Sequence, residues 1–530
     1  MLKQLLSGVF MVMMLPLQAQ TDYFSSVVLP DSTQSPFRDS LTEYSASIRP
    51  EDIRNHVYFL ASDSCEGREL GTIGNDRASA YIATQFRTMG IGHPPGLKDY
   101  FQEVGFRWMY WDKLVFKINE VPYKQLWDYL IIPSENGDLE MKAQELVFLG
   151  YGIDDPRYSD YGNRDYQGKI ALIYKGEPKN KHGKSYLTKS DSLSEWSFQL
   201  KLKQDAAARH GIKLLLVIED SFKEWVDQKR SEVISPQVTM GQGDSEANIT
   251  CNMMYLSSTT VTMLLGKNVK KVIKARDKIN KSGKSQALSI PCALEVLQKQ
   301  TVRSEKGKNI LAFIPGKKWS DELILISAHY DHIGKRGSEV FNGADDNASG
   351  TSSVLEIAEA YANMSKMGIY PDRSMMFALM TGEEKGLLGS MYYVNHPVFP
   401  LAQTRANINI DMIGRTDDHY QQDSNYVYVI GADRINPILH QSNIDINQRY
   451  AQLKLDYRYN AESDPNRYYY RSDHYNFAEK GIPAIFFFSG VHKDYHRTTD
   501  DPEKIMFGKT AQIAKHIFYL SWALSHTARF

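Results

Sequence analysis

Cysteine is scarce in this chain, whose 530 residues include three: Cys65, Cys251 and Cys292. A protein whose fold depended on disulfide bonds would carry more of them and an even number, so we expect no disulfide framework. Either Cys251 pairs with Cys292, or all three are buried free thiols. Since no two cysteines have the spacing of a zinc-binding pair, a bound metal would have to be held by histidines and carboxylates.

An excess of charge of one sign is also absent, because 62 Lys and Arg residues face 63 Asp and Glu residues. This balance gives no reason to expect nucleic acid or an anionic membrane surface as a partner. Apolar runs long enough to cross a bilayer are missing too, so the sequence predicts no membrane span. None of these features indicates an oligomeric state.

The first twenty residues differ in character from the rest of the chain. Lys3 precedes an apolar run from Leu5 to Leu17, and Ala19 offers a small residue for cleavage. The run is too short for a membrane span and has the layout of a secretory signal peptide. We therefore predict a signal peptide at residues 1–20 and a mature protein that is exported, either periplasmic or extracellular.

The remaining chain is long enough for two or three domains. Strands alternate with helices on both sides of a central stretch, which predicts an α/β fold with a mostly parallel, doubly wound sheet. In the central stretch, short strands separated by Gly, Asp and Pro turns predict an inserted β-rich module with its own core. The predicted order is a loose amino-terminal segment (21–47), the first part of the main domain (48–122), the insert (123–284) and the second part of the main domain (285–530).

The stretch that organises the chain begins with an apolar run from Leu323 to Ile326, which is typical of a buried strand. This strand delivers His329 and Asp331 at its carboxyl end. Residues two apart on a strand point the same way, so His329 could face a metal while Asp331 fixes its ring from behind. His332 would point to the opposite face and is not assigned to the site.

More carboxylates and a second histidine follow other predicted strands. In open α/β sheets the carboxyl ends of the strands form the edge at which ligands bind, so we expect these residues to converge there. Any one of them alone would be an ordinary cap or a solvated turn, but together they predict a metal site. They are Asp345 and Asp346, Glu383 and Glu384, Asp411, and His496, and the residues alone do not decide between Asp345 and Asp346.

These motifs resemble a known family, the co-catalytic zinc exopeptidases that include secreted bacterial leucyl aminopeptidases and glutamate carboxypeptidase II. The resemblance begins near Arg49 and includes Glu66-Gly-Arg68. It extends over the insert, where Val147-Phe-Leu-Gly-Tyr-Gly152 is similar to part of a protease-associated domain. The motifs that carry it are His329-Tyr-Asp331, Gly343-Ala-Asp-Asp-Asn-Ala-Ser-Gly350, Gly382-Glu-Glu384, Asn409-Ile-Asp411 and Tyr495-His496.

The resemblance implies a role for each matched residue. Asp346 would bridge two zinc ions, Asp345 would be the less suitable of the pair, and the peptide bond after Asp346 would be cis. Glu383 would be the general base, and Asp331 would orient a histidine ligand. The ligands of one zinc ion would be His329 and Asp411, and those of the other Glu384 and His496, with manganese or cobalt as alternative metals.

Two further places are similar to substrate-contacting positions in the family. Tyr495 would donate a hydrogen bond to the tetrahedral oxyanion, the alternative being a buried aromatic residue with a satisfied hydroxyl. The segment Arg471-Ser-Asp-His474 resembles one that lines the substrate pocket. Arg471 and His474 are therefore candidates for substrate binding, and a structural role for His474 is an equal alternative.

The leading hypothesis is an exported di-zinc aminopeptidase that hydrolyses amino-terminal residues from peptides. A carboxypeptidase of the same family would need a basic clamp for the substrate carboxylate, for which Arg415, Arg467 and Arg471 are candidates. A glutaminyl cyclase on a related scaffold uses one zinc ion. A non-catalytic binding protein on this fold, as in the transferrin receptor, would have lost metal ligands or the base, whereas all of these residues are present here.

Overall fold

The computed structural model describes residues 37–133, 137–241 and 251–528. The predicted signal peptide at residues 1–20 lies outside the described residues. The chain divides into two compact units, of which the first extends to Val104 and resumes at Lys306, and the second is Gly105–Glu305. Both boundaries fall within long strands, Phe101–Ile118 and Leu288–Ile314.

The secondary structure has the following bounds. The α-helices of the first unit are Phe37–Ser45, Pro50–Leu60, Ile73–Met89, Gly350–Lys366, Leu388–Asn395, Pro437–Ile446, His474–Glu479 and Phe507–His526, and those of the second are Leu200–Arg209, Phe222–Ile234, Ser258–Leu265 and Val269–Ser282. The strands are β1 (Phe101–Ile118), β2 (Val121–Pro122), β3 (Tyr129–Leu130), β4 (Leu139–Phe148), β5 (Asp154–Asp155), β6 (Tyr158–Ser159), β7 (Ile170–Tyr174), β8 (Leu214–Glu219), β9 (Gln237–Met240), β10 (Asn252–Ser257), β11 (Leu288–Ile314), β12 (Trp319–His329), β13 (Lys335–Arg336), β14 (Glu339–Val340), β15 (Arg373–Met380), β16 (Thr404–Ile410), β17 (Tyr426–Ile430), β18 (Lys454–Asp456) and β19 (Ala484–Phe488).

The sheet of the first unit is built around β12, which lies between β15 and β16 and runs parallel to both. The strand order is β18-β17-β19-β16-β12-β15-β11. β16 is parallel to β19, whereas the pairs β11–β15 and β17–β19 are antiparallel. The prediction of an α/β fold with a mostly parallel sheet is confirmed.

The central strands of this sheet carry apolar side chains on both faces. In β12, Ile324 and Ile326 join one core, and Leu323 and Leu325 join another, because successive side chains on a strand alternate. A strand that is apolar on both faces is typical of a sheet covered by helices on both sides. The larger core includes side chains of Pro50–Leu60, Ile73–Met89, Gly350–Lys366 and Phe507–His526, and the smaller one includes side chains of Leu388–Asn395 and His474–Glu479.

The second unit has its own hydrophobic core. Its strands β4, β7, β8 and β10 are parallel neighbours, and β3 pairs antiparallel with β10. Besides these strands, the stretch contains helices after residue 221 that the sequence pattern did not indicate. In one of them, Val269–Ser282, the buried side chains are Val272, Ala275 and Ile279, and the surrounding lysines leave no continuous apolar run. The bounds 123–284 and the protease-associated identity stay predictions.

The segment 21–47, predicted to be loose, contains a helix at Phe37–Ser45. Leu41 and Ser45 are buried, as is Ile48 just beyond, and both Leu41 and Ile48 belong to the larger core of the first unit. The Ser-rich composition therefore misled the prediction, because a few apolar side chains at helical spacing are enough to dock a short helix.

The three cysteines are free thiols, so the alternative of a Cys251–Cys292 disulfide is wrong. In the part of the chain that the structure describes, no helix combines the length and the apolar character needed to cross a membrane.

Replacing Phe377 by alanine should destabilise the first unit by about 3–5 kcal/mol, because it would leave a cavity in the larger core. The Phe377 ring is fully buried and packs with Tyr361, at 5.8 Å between ring centroids. Urea unfolding followed by circular dichroism would measure the change. Met367→Ala is the matched control, since Met367 is 71% exposed and should change the free energy of unfolding by less than about 0.5 kcal/mol. Equal effects of the two substitutions would contradict this account of the core.

Candidate metal centre

Loops that follow neighbouring strands bring histidines and carboxylates to one edge of the first unit's sheet. β12 ends at His329, and Glu383 and Glu384 lie in the turn after β15. Asp411 follows β16, and His496 lies in the loop after β19. Because these strands run parallel, their loops leave the sheet at the same edge.

Asp346 lies between two of the histidines. Its Oδ1 is 3.3 Å from His329 Nε2, and its Oδ2 is 3.1 Å from His496 Nε2. The peptide bond after Asp346 is cis, as the resemblance implies. Asp345 is engaged elsewhere, since its Oδ1 accepts a hydrogen bond of 2.6 Å from the backbone N–H of Gly414. The choice between the two aspartates therefore falls on Asp346.

One group of donor atoms surrounds His329, whose side chain is buried. His329 Nε2 is 3.2 Å from Asp411 Oδ1 and 3.9 Å from Glu383 Oε2. One ligand atom from each of the three residues lies within 4.8 Å of the others, close enough to share a metal ion. The predicted ligands His329 and Asp411 are thus adjacent, and Glu383, the predicted base, lies beside them.

A second group surrounds Glu384. Its Oε2 is 3.1 Å from His496 Nε2, and its Oε1 is 2.8 Å from His332 Nδ1. The sequence reading places His332 on the opposite face, and this is wrong: the ring is fully buried within the site. The alternation argument fails because β12 ends at His329, so the direction of a side chain three residues later depends on the path of the loop.

Asp331 orients His329 in a different way from the one predicted. His329 Nδ1 lies 3.1 Å from the backbone carbonyl oxygen of Asp331 and 3.8 Å from its carboxylate. The carboxylate instead accepts hydrogen bonds from the backbone N–H groups of Glu383, at 3.1 Å, and Glu384, at 3.3 Å. The carbonyl therefore fixes the imidazole, and the carboxylate holds the turn that carries both glutamates.

A buried chain of hydrogen bonds supports Asp411, and the sequence reading missed it. Ser472 Oγ donates to Asp411 Oδ2 at 2.8 Å, and Asn409 Nδ2 donates to Ser472 Oγ at 2.8 Å. Ser327 Oγ in turn donates to Asn409 Oδ1 at 2.8 Å, and Asn407 Nδ2 donates to Ser327 Oγ at 2.8 Å. The signal in the sequence was the alternation of Asn407 and Asn409, which places two polar side chains on one face of the buried strand that Asp411 follows.

Burial and neighbouring charges shift the pKa values of the site residues strongly. Burial raises the pKa of Glu383 well above its ordinary value, and the nearby Asp411 carboxylate adds to this effect. Burial acts in the same direction on Asp346 and Glu384, but the nearby histidines outweigh it, so the pKa of Asp346 is well below its ordinary value and that of Glu384 is about 2. Burial lowers the pKa of His496, yet the Glu384 and Asp346 carboxylates raise it overall to about 10. So many buried carboxylates require cations close by.

The residues present fit bound metal ions. His332 Nδ1, Glu384 Oε1 and His496 Nε2 are buried and have no hydrogen-bond partner in the part of the chain that the structure describes. Buried polar atoms are normally paired, so three unpaired atoms in the second group indicate that a cation completes their contacts. Imidazole nitrogen and carboxylate oxygen are donors that zinc takes in proteins.

A pocket opens beside the first group of donors, and its wall includes both apolar and charged side chains. It includes Tyr495 and Arg471, with Arg471 Nη2 3.4 Å from Tyr495 Oη. The structure therefore brings both of these predicted residues to the site. The lining residues are Asp346, Glu383, Asp411, Met412, Tyr468, Arg471, Phe486, Phe488, Val491 and Tyr495.

His474 does not reach the pocket. Its ring is fully buried and stacks on Phe486, with 4.7 Å between the ring centroids. Burial lowers the pKa of His474 to about 3, so the ring is neutral. The ring packs on Phe486, which lines the pocket, and His474 itself is not among the lining residues, so the structure supports the structural alternative.

The part of the chain that carries this site matches the sequence model of a known family. Residues 309–521 match the model of peptidase family M28. This segment is a peptidase family M28 domain. Every residue assigned above to the metal groups or to the pocket lies within the M28 domain.

The amino-acid sequence is similar to those of several named proteins. It is 32% identical over 209 residues to leupeptin-inactivating enzyme 1 of Streptomyces exfoliatus. This alignment covers 39% of this chain and 41% of that protein. It is 29% identical over 225 residues to a probable leucine aminopeptidase of Trichophyton verrucosum, with coverage of 41% and 57%. Each match therefore spans less than two thirds of the relative's length.

One solved structure shows how far the fold is shared. An aminopeptidase from Aneurinibacillus sp. strain AM-1 superposes with a TM-score of 0.56 and 20% sequence identity, over 92% of this chain and 96% of that one. The likeness establishes a common fold that includes the M28 domain.

Replacing Ser472 by alanine should weaken metal binding by about 10–100-fold, because the substitution removes the hydrogen bond that positions Asp411. Competition with a chromophoric chelator would measure the dissociation constants. Ser64→Ala is a matched control, since Ser64 is exposed and belongs to the same unit. Unchanged affinity in Ser472→Ala would show that the hydrogen-bond chain does not position the metal ligand.

Proposed function

We propose that this protein is an exported zinc-dependent aminopeptidase that hydrolyses the amino-terminal peptide bond of peptides. The observation that carries the proposal is the Asp346 carboxylate, which lies between His329 and His496 with further donors on each side. His329 and Asp411 would hold one zinc ion, Glu384 and His496 the other, and Asp346 would be shared. Manganese and cobalt suit the same donors.

Bound as a pair, two divalent ions supply Lewis-acid polarisation of the scissile carbonyl and acidify a water molecule. Glu383 is the group that would move the proton, because it lies in the pocket wall and is not required as a ligand. Glu383 can take a proton from that water and hold it until the leaving amine accepts it. Tyr495 lines the same pocket and can donate a hydrogen bond to the developing oxyanion.

Aminopeptidase activity has more support than the alternatives. A relative of this chain is named as a probable leucine aminopeptidase. A carboxypeptidase would need basic side chains in the pocket to bind the substrate carboxylate. Of the three candidate arginines, only Arg471 is among the pocket residues. Arg415 is instead paired with Asp494 at 3.2 Å, and Arg467 does not line the pocket. The presence of two donor groups favours a two-metal hydrolase over a one-zinc glutaminyl cyclase and over a binding protein that has lost its ligands.

Two parts of the proposal rest on the sequence alone. Export rests on the pattern of residues 1–20, and the protease-associated identity of the insert rests on the motif Val147-Phe-Leu-Gly-Tyr-Gly152.

Purified protein should cleave aminoacyl-p-nitroanilides that have a free α-amine and should not cleave their amino-acetylated counterparts. Metal analysis of the same sample should find about two zinc ions per chain. Glu383→Gln should lower kcat by about 10²–10⁴-fold and keep its metal, because the substitution removes the proton acceptor and no proposed ligand.

Glu462→Gln serves as the control for this experiment, because Glu462 is exposed and far in sequence from the proposed ligands. Cleavage of the acetylated substrates, or full activity in Glu383→Gln, would contradict the proposal. Bound zinc without any cleavage would point to the carboxypeptidase or the cyclase instead.

The pocket also predicts which amino-terminal residues are preferred. Met412, Phe486, Phe488 and Val491 give its wall an apolar surface. We expect kcat/KM for leucyl and phenylalanyl p-nitroanilides to exceed that for the alanyl substrate by at least about 10-fold, because each buried methylene contributes to binding. A preference for aspartyl substrates would show that the Arg471 charge, and not the apolar wall, governs selectivity.

A further inference from the structure

His332 is a buried histidine to which the reaction scheme above gives no role. The ring is fully buried, and neither of its nitrogens has a hydrogen-bond partner among the described residues. Nδ1 lies 2.8 Å from Glu384 Oε1 and 3.7 Å from Asp346 Oδ2. Burying an unpaired ring nitrogen is unfavourable, so this position calls for a partner that the side chains alone do not supply.

The contact between His332 and Glu384 lacks the geometry of a hydrogen bond in spite of its short distance. Glu384 Oε1 also has no hydrogen-bond partner among the described residues. A hydrogen bond needs the N–H to point along the line to the acceptor. Two such atoms placed close together without this alignment are arranged like two ligands of one cation.

The same arrangement occurs on the other side of Glu384. His496 Nε2 lies 3.1 Å from Glu384 Oε2 and 3.1 Å from Asp346 Oδ2, again without a hydrogen bond. The two imidazole rings are 5.6 Å apart and inclined at 70°. His332, Asp346 and Glu384 offer ligand atoms that all lie within 4.8 Å of one another, and His496 Nε2 is 3.1 Å from an oxygen of each of the two carboxylates.

The fold makes room for this ring. Gly343 has φ = +58°, and a Cβ at that position would lie 2.5 Å from Cγ and Cδ2 of His332. The backbone N–H of His332 donates to the carbonyl oxygen of Arg68 at 3.3 Å. The backbone of Gly343 therefore lies close against the ring, and the hydrogen bond to Arg68 holds the main chain that carries it.

We propose that His332 is a fourth protein ligand of the metal ion held by Asp346, Glu384 and His496, an inference that rests on the metal centre of the proposed function. Four protein ligands would then hold this ion, and zinc commonly takes four ligands in proteins. The other position, with His329, Asp411 and the shared Asp346, has three. We therefore expect the position that includes His332 to bind its ion more tightly.

X-ray absorption at the zinc edge tests the proposal on the unaltered protein, without substrate. Three imidazoles should be shared by two zinc ions if His332 is a ligand, and two if only His329 and His496 are. Chelator competition should resolve one tight and one weaker site. His332→Gln should lose more affinity at the tight site than the ~10–100-fold that removal of an outer hydrogen bond costs, and its spectrum should show two imidazoles.

His182→Gln is the control, since His182 is exposed and lies in the second unit. An imidazole count of two in the unaltered protein would overturn the proposal, and this outcome does not depend on how well the variant folds. An unchanged imidazole count in His332→Gln would overturn it as well. These outcomes do not depend on peptide cleavage: a protein that binds zinc through three imidazoles and cleaves nothing would refute the aminopeptidase proposal and leave the His332 ligand in place.

Discussion

The position of one buried carboxylate, that of Asp346, governs the rest of the site, because it faces both groups of donors at once. The loop that carries it is held mainly through its backbone. The N–H groups of Asp345 and Asp346 donate to the Asp500 carboxylate at 3.0 and 3.1 Å. On the preceding side, Arg68 donates to the carbonyl oxygen of Gly343 at 2.8 Å. Hydrogen bonds suit this task better than apolar contacts, since they fix direction as well as distance.

Arg68 also explains why the segment before the insert belongs with the later part of the chain. Its guanidinium is fully buried and donates to carbonyl oxygens of the loops that carry His332 and Asp346, including that of Tyr330 at 2.7 Å, and to Leu60 at 2.5 Å. Burial lowers the pKa of the guanidinium, and the charges of the nearby site carboxylates oppose this shift. A buried charge is tolerated here because its donors are satisfied by main-chain oxygens.

The carboxylates of the site use their oxygens either to receive supporting hydrogen bonds or to face the other site residues. Asp411 accepts from Ser472 with Oδ2 and turns Oδ1 toward His329. Asp331 uses both oxygens for support, accepting the backbone N–H groups of the turn that carries Glu383 and Glu384. Each group is therefore pre-oriented before any ion arrives, which limits the reorganisation that binding and catalysis require.

The sequence by itself determined the α/β architecture and the edge at which the site lies, because strand and helix periodicities are local and parallel strands share a direction. It also selected the residues that meet there, and the family resemblance singled out Asp346. Only the tertiary structure decided where His332 and His474 point and which atoms Asp331 holds. The reason is physical: periodicity fixes side-chain direction inside a strand or helix, whereas beyond its end the direction depends on loop contacts such as that between Ser472 and Asp411, which are 61 residues apart in the chain.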